Sequence, residues 1–123
     1  MIRSRPRRNK TPRLIVRFFC ESTGSEPVRD WLKRLPVEER REIGTDIKTV
    51  QFGWPMGMPV VDHIDGEIRE IRTRLATRIA RVLFTLDGPV MVLLHGFIKK
   101  ERKTPKAELD IGKQRLKKLR SAT

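Results

Sequence analysis

A single cysteine, Cys20, excludes an internal disulfide and any zinc site built on cysteine pairs. Tyrosine is absent altogether, which removes one of the aromatic platforms on which unpaired bases stack. No apolar run approaches the roughly 20 residues that span a bilayer, and no hydrophobic core follows the Arg-rich start. Neither a membrane segment nor a secretory signal is therefore read, and a cytoplasmic protein is expected. There is no P-loop, dinucleotide fingerprint or nucleophilic triad. His63, in Asp62-His63-Ile64-Asp65, has an outline of ligand spacing but no nearby second histidine, so no metal and no cofactor are expected.

Acid is the other shortage. Lys and Arg number 28 against 15 Asp and Glu, a net charge of +13 on 123 residues. Such a balance points to a polyanionic partner. The excess is uneven. Residues 1–17 carry seven cations and no acid, and residues 95–123 carry ten cations and three acids, whereas 18–94 hold eleven cations and twelve acids. The length suits one domain. Residues 1–12 read as a basic, flexible arm and 13–120 as the domain.

Along that domain, Leu14–Phe19 reads as a short buried strand. Ser25-Glu26-Pro27 opens a helix, with Ser25 as cap and Val28, Trp31, Leu32 and Leu35 at helical spacing. After Pro36, Ile43, Ile47 and Val50 continue that spacing as far as Gly53. Residues 53–60 form a loop rich in Gly and Pro. Past Asp65-Gly66 come three strands, Glu67–Leu75, Arg78–Leu86 and Val90–Ile98, the last two joined by an Asp87-Gly88 hairpin turn. Thr104 caps a final helix, with Pro105 in its first turn and an apolar stripe of Leu109, Gly112, Leu116 and Leu119. The order is β-α-α-β-β-β-α, an α+β class with a small, mainly antiparallel sheet packed against helices.

Strand parity sorts the cations. Glu70, Arg72 and Arg74 share one face of their strand, and Arg81 falls with Ile79, Leu83 and Thr85. Arg72, Arg74 and Arg81 are thus expected to gather, with Lys99 and Lys100 closing the group at the next strand's end. Arginines without matching acids repel each other, and a bound phosphate relieves that repulsion. Each arginine alone is read as part of a solvated face with Glu70 paired to Arg72 or Arg81; the group is read as a phosphate site. His95 is read first as a packed, hydrogen-bonded strand residue and second as a catalyst. A toolkit of Arg and Lys, with one His as a further candidate, suits metal-free RNA cleavage. There the substrate's 2′-OH attacks and cations stabilise the charge that builds on phosphorus.

Three segments carry a resemblance: Asp65-Gly66-Glu67-Ile68-Arg69-Glu70-Ile71-Arg72, then Arg78-Ile79-Ala80-Arg81-Val82-Leu83-Phe84, then Leu94-His95-Gly96-Phe97-Ile98-Lys99-Lys100 with Lys103-Thr104-Pro105. Over about residues 13–120 the chain resembles the RelE/ParE superfamily of bacterial toxins, in its HigB-like, phage-derived branch. The resemblance implies a ribosome-dependent, metal-independent mRNA endoribonuclease that inhibits translation. It also implies a hetero-oligomer with a cognate antitoxin of helix-turn-helix, HigA-like type. By position it makes Arg72, Arg81, Lys99 and Lys100 catalytic and assigns Glu70 to the Glu-x-Arg pair. Arg74, Arg78, Arg102, Lys103, Lys113 and Lys117 are expected to contact RNA or the ribosome, with His95 and Glu70 either catalytic or structural. Where members often carry tyrosine on either side of the strand arginine, this chain has Ala80 and Phe84. Arg81→Ala is expected to leave folding intact and abolish activity. Two other readings stay open: a ParE-like gyrase poison on the same scaffold, and a non-catalytic nucleic-acid-binding module.

Overall fold

The structure, a computed structural model, describes residues 11–99 and 102–122. The arm read at 1–12 therefore lies outside the described residues, apart from the exposed Thr11 and Pro12. The elements run β1 (Ile15–Phe18), α1 (Pro27–Lys33), α2 (Val37–Gly53), β2 (Val61–Asp65), β3 (Ile68–Arg74), β4 (Ile79–Asp87), β5 (Val90–Lys99) and α3 (Lys106–Ser121). The class is α+β, with three helices and a five-stranded mixed sheet ordered β1-β5-β4-β3-β2 among the described residues. β1 pairs with β5 in parallel, and the other three pairings are antiparallel.

Two sequence expectations are corrected here. Four strands were expected and five are present among the described residues: Val61–Asp65, assigned to no element from sequence, is the edge strand β2 paired to β3. Only Val61 of it is buried, so its acidic, half-exposed sequence lacks the apolar signature of a strand. The first strand is likewise an edge strand rather than a buried one, with Ile15 50% exposed.

Helices cover both faces. α1 begins with Pro27 at its first turn, where a missing N–H costs nothing, but its cap residue is Glu26 rather than Ser25. α2 buries Ile43, Ile47 and Val50 at spacings of four and three, and Glu38 and Glu39 in its first turn complement the helix dipole. With α1 it packs on a face built from Ile71, Ala80, Val82, Phe84, Met91 and Leu93. Each fully buried Val, Leu, Ile, Phe or Met side chain contributes about 1.5–3 kcal/mol. Gly96 is required there: an added Cβ would lie 2.3 Å from the Trp31 ring of α1.

α3 covers the opposite face. Its predicted stripe lands as spaced, Leu109, Leu116 and Leu119 packing against Ile68, Leu83, Val92 and Leu94. Gly112 meets Leu83 at the closest point. Between β4 and β5 the register shifts: Leu83 faces His95 while Phe84 faces Leu93, which leaves Leu94 as an inserted residue. Simple alternation put Leu94 with Gly96 and Ile98. The bulge moves it to the α3 face with Phe97.

Candidate phosphate-binding site

Beyond the apolar part of the α3 face, the sheet becomes charged. Arg72 stands opposite Arg81 across β3 and β4, and Glu70 stands opposite Leu83, so all three predicted residues do share this face. Glu70 is completely buried, as is Arg81. A carboxylate taken out of water must be paired and hydrogen-bonded. Its Oε1 accepts from Arg72 Nε at 2.8 Å, its Oε2 accepts from Thr104 Oγ1 at 2.7 Å, and Arg81 Nη1 lies 3.9 Å away. Arg72 Nη2 also donates to Asp62 Oδ2 at 3.1 Å, across to β2.

The arginine face is thus not short of acid. The expected repulsion is met by Glu70 and by Asp62, which the unrecognised edge strand supplies. Nor is Arg81 a projecting side chain. Its Nη1 donates to the Arg102 carbonyl at 2.8 Å, and Arg72 Nη2 donates to the same carbonyl at 3.2 Å. Both guanidiniums grip the connection between β5 and α3. Thr104 departs from expectation too: Pro105 is the cap residue of α3, without a side-chain cap bond, and the Thr104 hydroxyl turns inward to Glu70.

Further cations lie on and beside that connection. Lys99, Lys103 and Lys106 line an open groove of about 650 Å³ with Thr104, Pro105 and Leu109. Lys106, which sequence reasoning left out, is brought in by helical geometry at the first turn of α3 and also pairs with Asp110 at 2.9 Å. Arg102 is exposed beside the groove; Lys100 lies outside the described residues. A phosphodiester reaching this groove meets ammonium groups over an apolar floor, a setting that favours charge-assisted hydrogen bonds.

The remaining predicted residues are dispersed. Arg74 is exposed at the end of β3 and lines a shallow hollow at the β3–β4 turn. Arg78 makes a two-point pair with Glu39 of α2, at 3.2 and 2.6 Å, and that hydrogen bond raises its pKa above the usual arginine value. Lys113 pairs with Asp65 at 2.7 Å, raising the lysine pKa and lowering the aspartate's through the shared hydrogen bond. Lys117 is exposed on α3.

His95 sits at the other end of the charged region, stacked on Phe97 at 5.5 Å. Arg115 Nη1 lies 3.2 Å from its Nδ1, and arginine can only donate, so Nδ1 accepts and the ring proton is on Nε2. That proton is donated to Glu108 Oε1 at 2.7 Å. Burial lowers the His95 pKa, against the opposing hydrogen bond and charge of Glu108. Both ring nitrogens are therefore engaged with α3, a clamp between strand and helix. Glu108 and Arg115 were not singled out from sequence; their spacing of seven on one helix face was the available signal.

Among the described residues no group of three or more His, Cys, Asp or Glu is placed to hold a metal ion, and no helix is long and apolar enough to cross a membrane. Residues 30–117 match a protein family described as Phage derived protein Gp49-like (DUF891), a span that takes in both the buried network and the groove. No curated protein matches the chain.

Proposed function

We propose that this chain, which belongs to the phage-derived Gp49-like family, is the toxin of a toxin–antitoxin pair and cuts mRNA on the ribosome. On this reading it falls in the HigB-like branch of the RelE/ParE superfamily, acts in the cytoplasm, and is neutralised by a helix-turn-helix antitoxin. The observation that carries the reading is the convergence of Lys99, Lys103 and Lys106 on one open groove, beside a network whose own charges are already matched.

The chemistry needs little covalent machinery. The 2′-oxygen next to the scissile phosphate attacks phosphorus, its proton leaves to a base, and the 5′-oxygen departs and takes up a proton. The lysine ammonium groups donate to the non-bridging oxygens, where charge increases on the way to the pentacoordinate transition state. Lys100 joins this set by position in the sequence. Arg72 and Arg81 act from behind, by holding the connection that carries the lysines, since Arg81 is fully buried. His95, occupied on both nitrogens, is given no role in proton transfer.

That last feature also favours the second reading, a module that binds RNA through the groove without cutting it. The two are separated by adding the purified chain to translating ribosomes. Cleavage at defined codon positions is expected, and Lys99→Ala with Lys103→Ala is expected to slow it by on the order of 100-fold or more at an unchanged unfolding midpoint. Binding with intact mRNA would establish the passive module instead. Intact mRNA with double-strand breaks in DNA would move the assignment to a gyrase poison.

A further inference from the structure

Two points on the β5–α3 connection are held from beneath, and one residue lies between them. Arg72 and Arg81 fix the carbonyl of Arg102, and the buried carboxylate of Glu70 fixes the hydroxyl of Thr104. Lys103, the intervening residue, is exposed and lines the groove. A backbone carbonyl held on one side and a side chain anchored on the other fix the direction in which the Lys103 stem leaves the chain.

We propose that Thr104 is a positioning residue: its bond to Glu70 aims Lys103 at a phosphate of bound RNA. The inference rests on the RNA reading given above. Thr104 touches no substrate in this scheme; it acts through Lys103. Three observations support it. The hydroxyl does not cap α3, although a threonine just before a helix commonly does, so its inward turn has another use. The acceptor is a fully buried carboxylate 34 residues away in sequence, which gives a fixed anchor rather than a local turn contact. The same carboxylate also holds Arg72, which in turn holds Arg102, so one buried group sets both ends of the pinned segment.

The test compares Thr104→Val, which keeps shape and loses the hydroxyl, with Thr104→Ser, which keeps the hydroxyl. A short single-stranded RNA is titrated with the full-length chain across a range of salt, alongside Lys103→Ala. Thr104→Val is expected to weaken binding several-fold and to lower the salt slope by about 0.7, the share of one phosphate on a single strand. Lys103→Ala should lose the same increment, and the double variant should lose no more than either alone. Thr104→Ser should restore parental slope and affinity. If Thr104→Val melts earlier but keeps the parental salt slope, Thr104 is only structural and the proposal fails while the RNA reading stands. If the parent itself neither binds RNA nor cuts mRNA on translating ribosomes, both fall together.

Discussion

On the side of the sheet toward α1 and α2, Val61, Ile71, Val82, Phe84 and Leu93 meet other apolar side chains, and the fit is set by shape. On the side toward α3, a smaller apolar patch gives way to Glu70, Arg72 and Arg81, where the fit is set by charge and hydrogen bonds. Among the described residues, three of the four buried polar ones, Glu70, Arg81 and Thr85, belong to the α3 side, and Thr73 to the other. The contrast shows where specificity was placed. An apolar face tolerates any filling of the right volume, whereas a buried carboxylate accepts only the donors that reach it. The face that constrains its surroundings is the one next to the groove.

The comparison is broken most forcefully at Glu70. Glu70→Ala removes the buried carboxylate that pairs with Arg72 and holds Thr104, and is expected to cost about 3–5 kcal/mol, read from the denaturation midpoint. A loss no larger than that of a surface ion pair would mean that the α3 side is not governed by charge. With the same burial, Arg81→Ala is expected to destabilise the fold rather than leave it intact, since that change removes a fully buried side chain.

Gly96→Ala probes the opposite side. The indole of Trp31 is a rigid obstacle, and overpacking of this kind is expected to cost about 1–3 kcal/mol. Being steric, the cost should not vary with pH. A pH-dependent loss would blur the distinction between the faces.

The smallest effect is expected at His95. Its folded-state pKa is lowered, chiefly by burial, so the unfolded chain binds the proton more readily. The stability it contributes is complete above its unfolded value of about 6.5 and declines as pH falls through that value toward the lower folded one. The charged groups facing it are Glu108 and Arg115, the latter also 3.6 Å from Glu21. Thermal midpoints taken on either side of that value should show this decline in the parent and a flatter profile in His95→Gln.

Much of the fold was legible because its signals are local: the Asp87-Gly88 turn, the Leu109-Gly112-Leu116 stripe, and the Ile43-Ile47-Val50 spacing. β2 was not, although Asp65-Gly66 repeats the hairpin dipeptide that announced the later turn, and Gly66 adopts a φ of 54°. Four of its five residues are at least partly exposed, so its pairing shows only in three dimensions. That omission spread to the site. Without β2 there was no Asp62 beside Arg72, and the arginines looked unmatched. Lys99 and Lys103 were legible as cations at a strand end. Thr104 was not, because a local cap and a distant carboxylate are equally good uses of one hydroxyl.

The inserted Leu94 sets the phase of everything after it on β5. A strand alternates like a two-stroke cycle, and one extra beat exchanges the strokes. Counted from the hairpin turn without that beat, His95, Phe97 and Lys99 would fall toward Trp31, and Gly96 would face α3. With it, glycine meets the indole, and the strand delivers its last lysine to the groove. One surplus leucine thus acts as the timing mark that sets Gly96 on the side of Trp31 and Lys99 on the side of the groove.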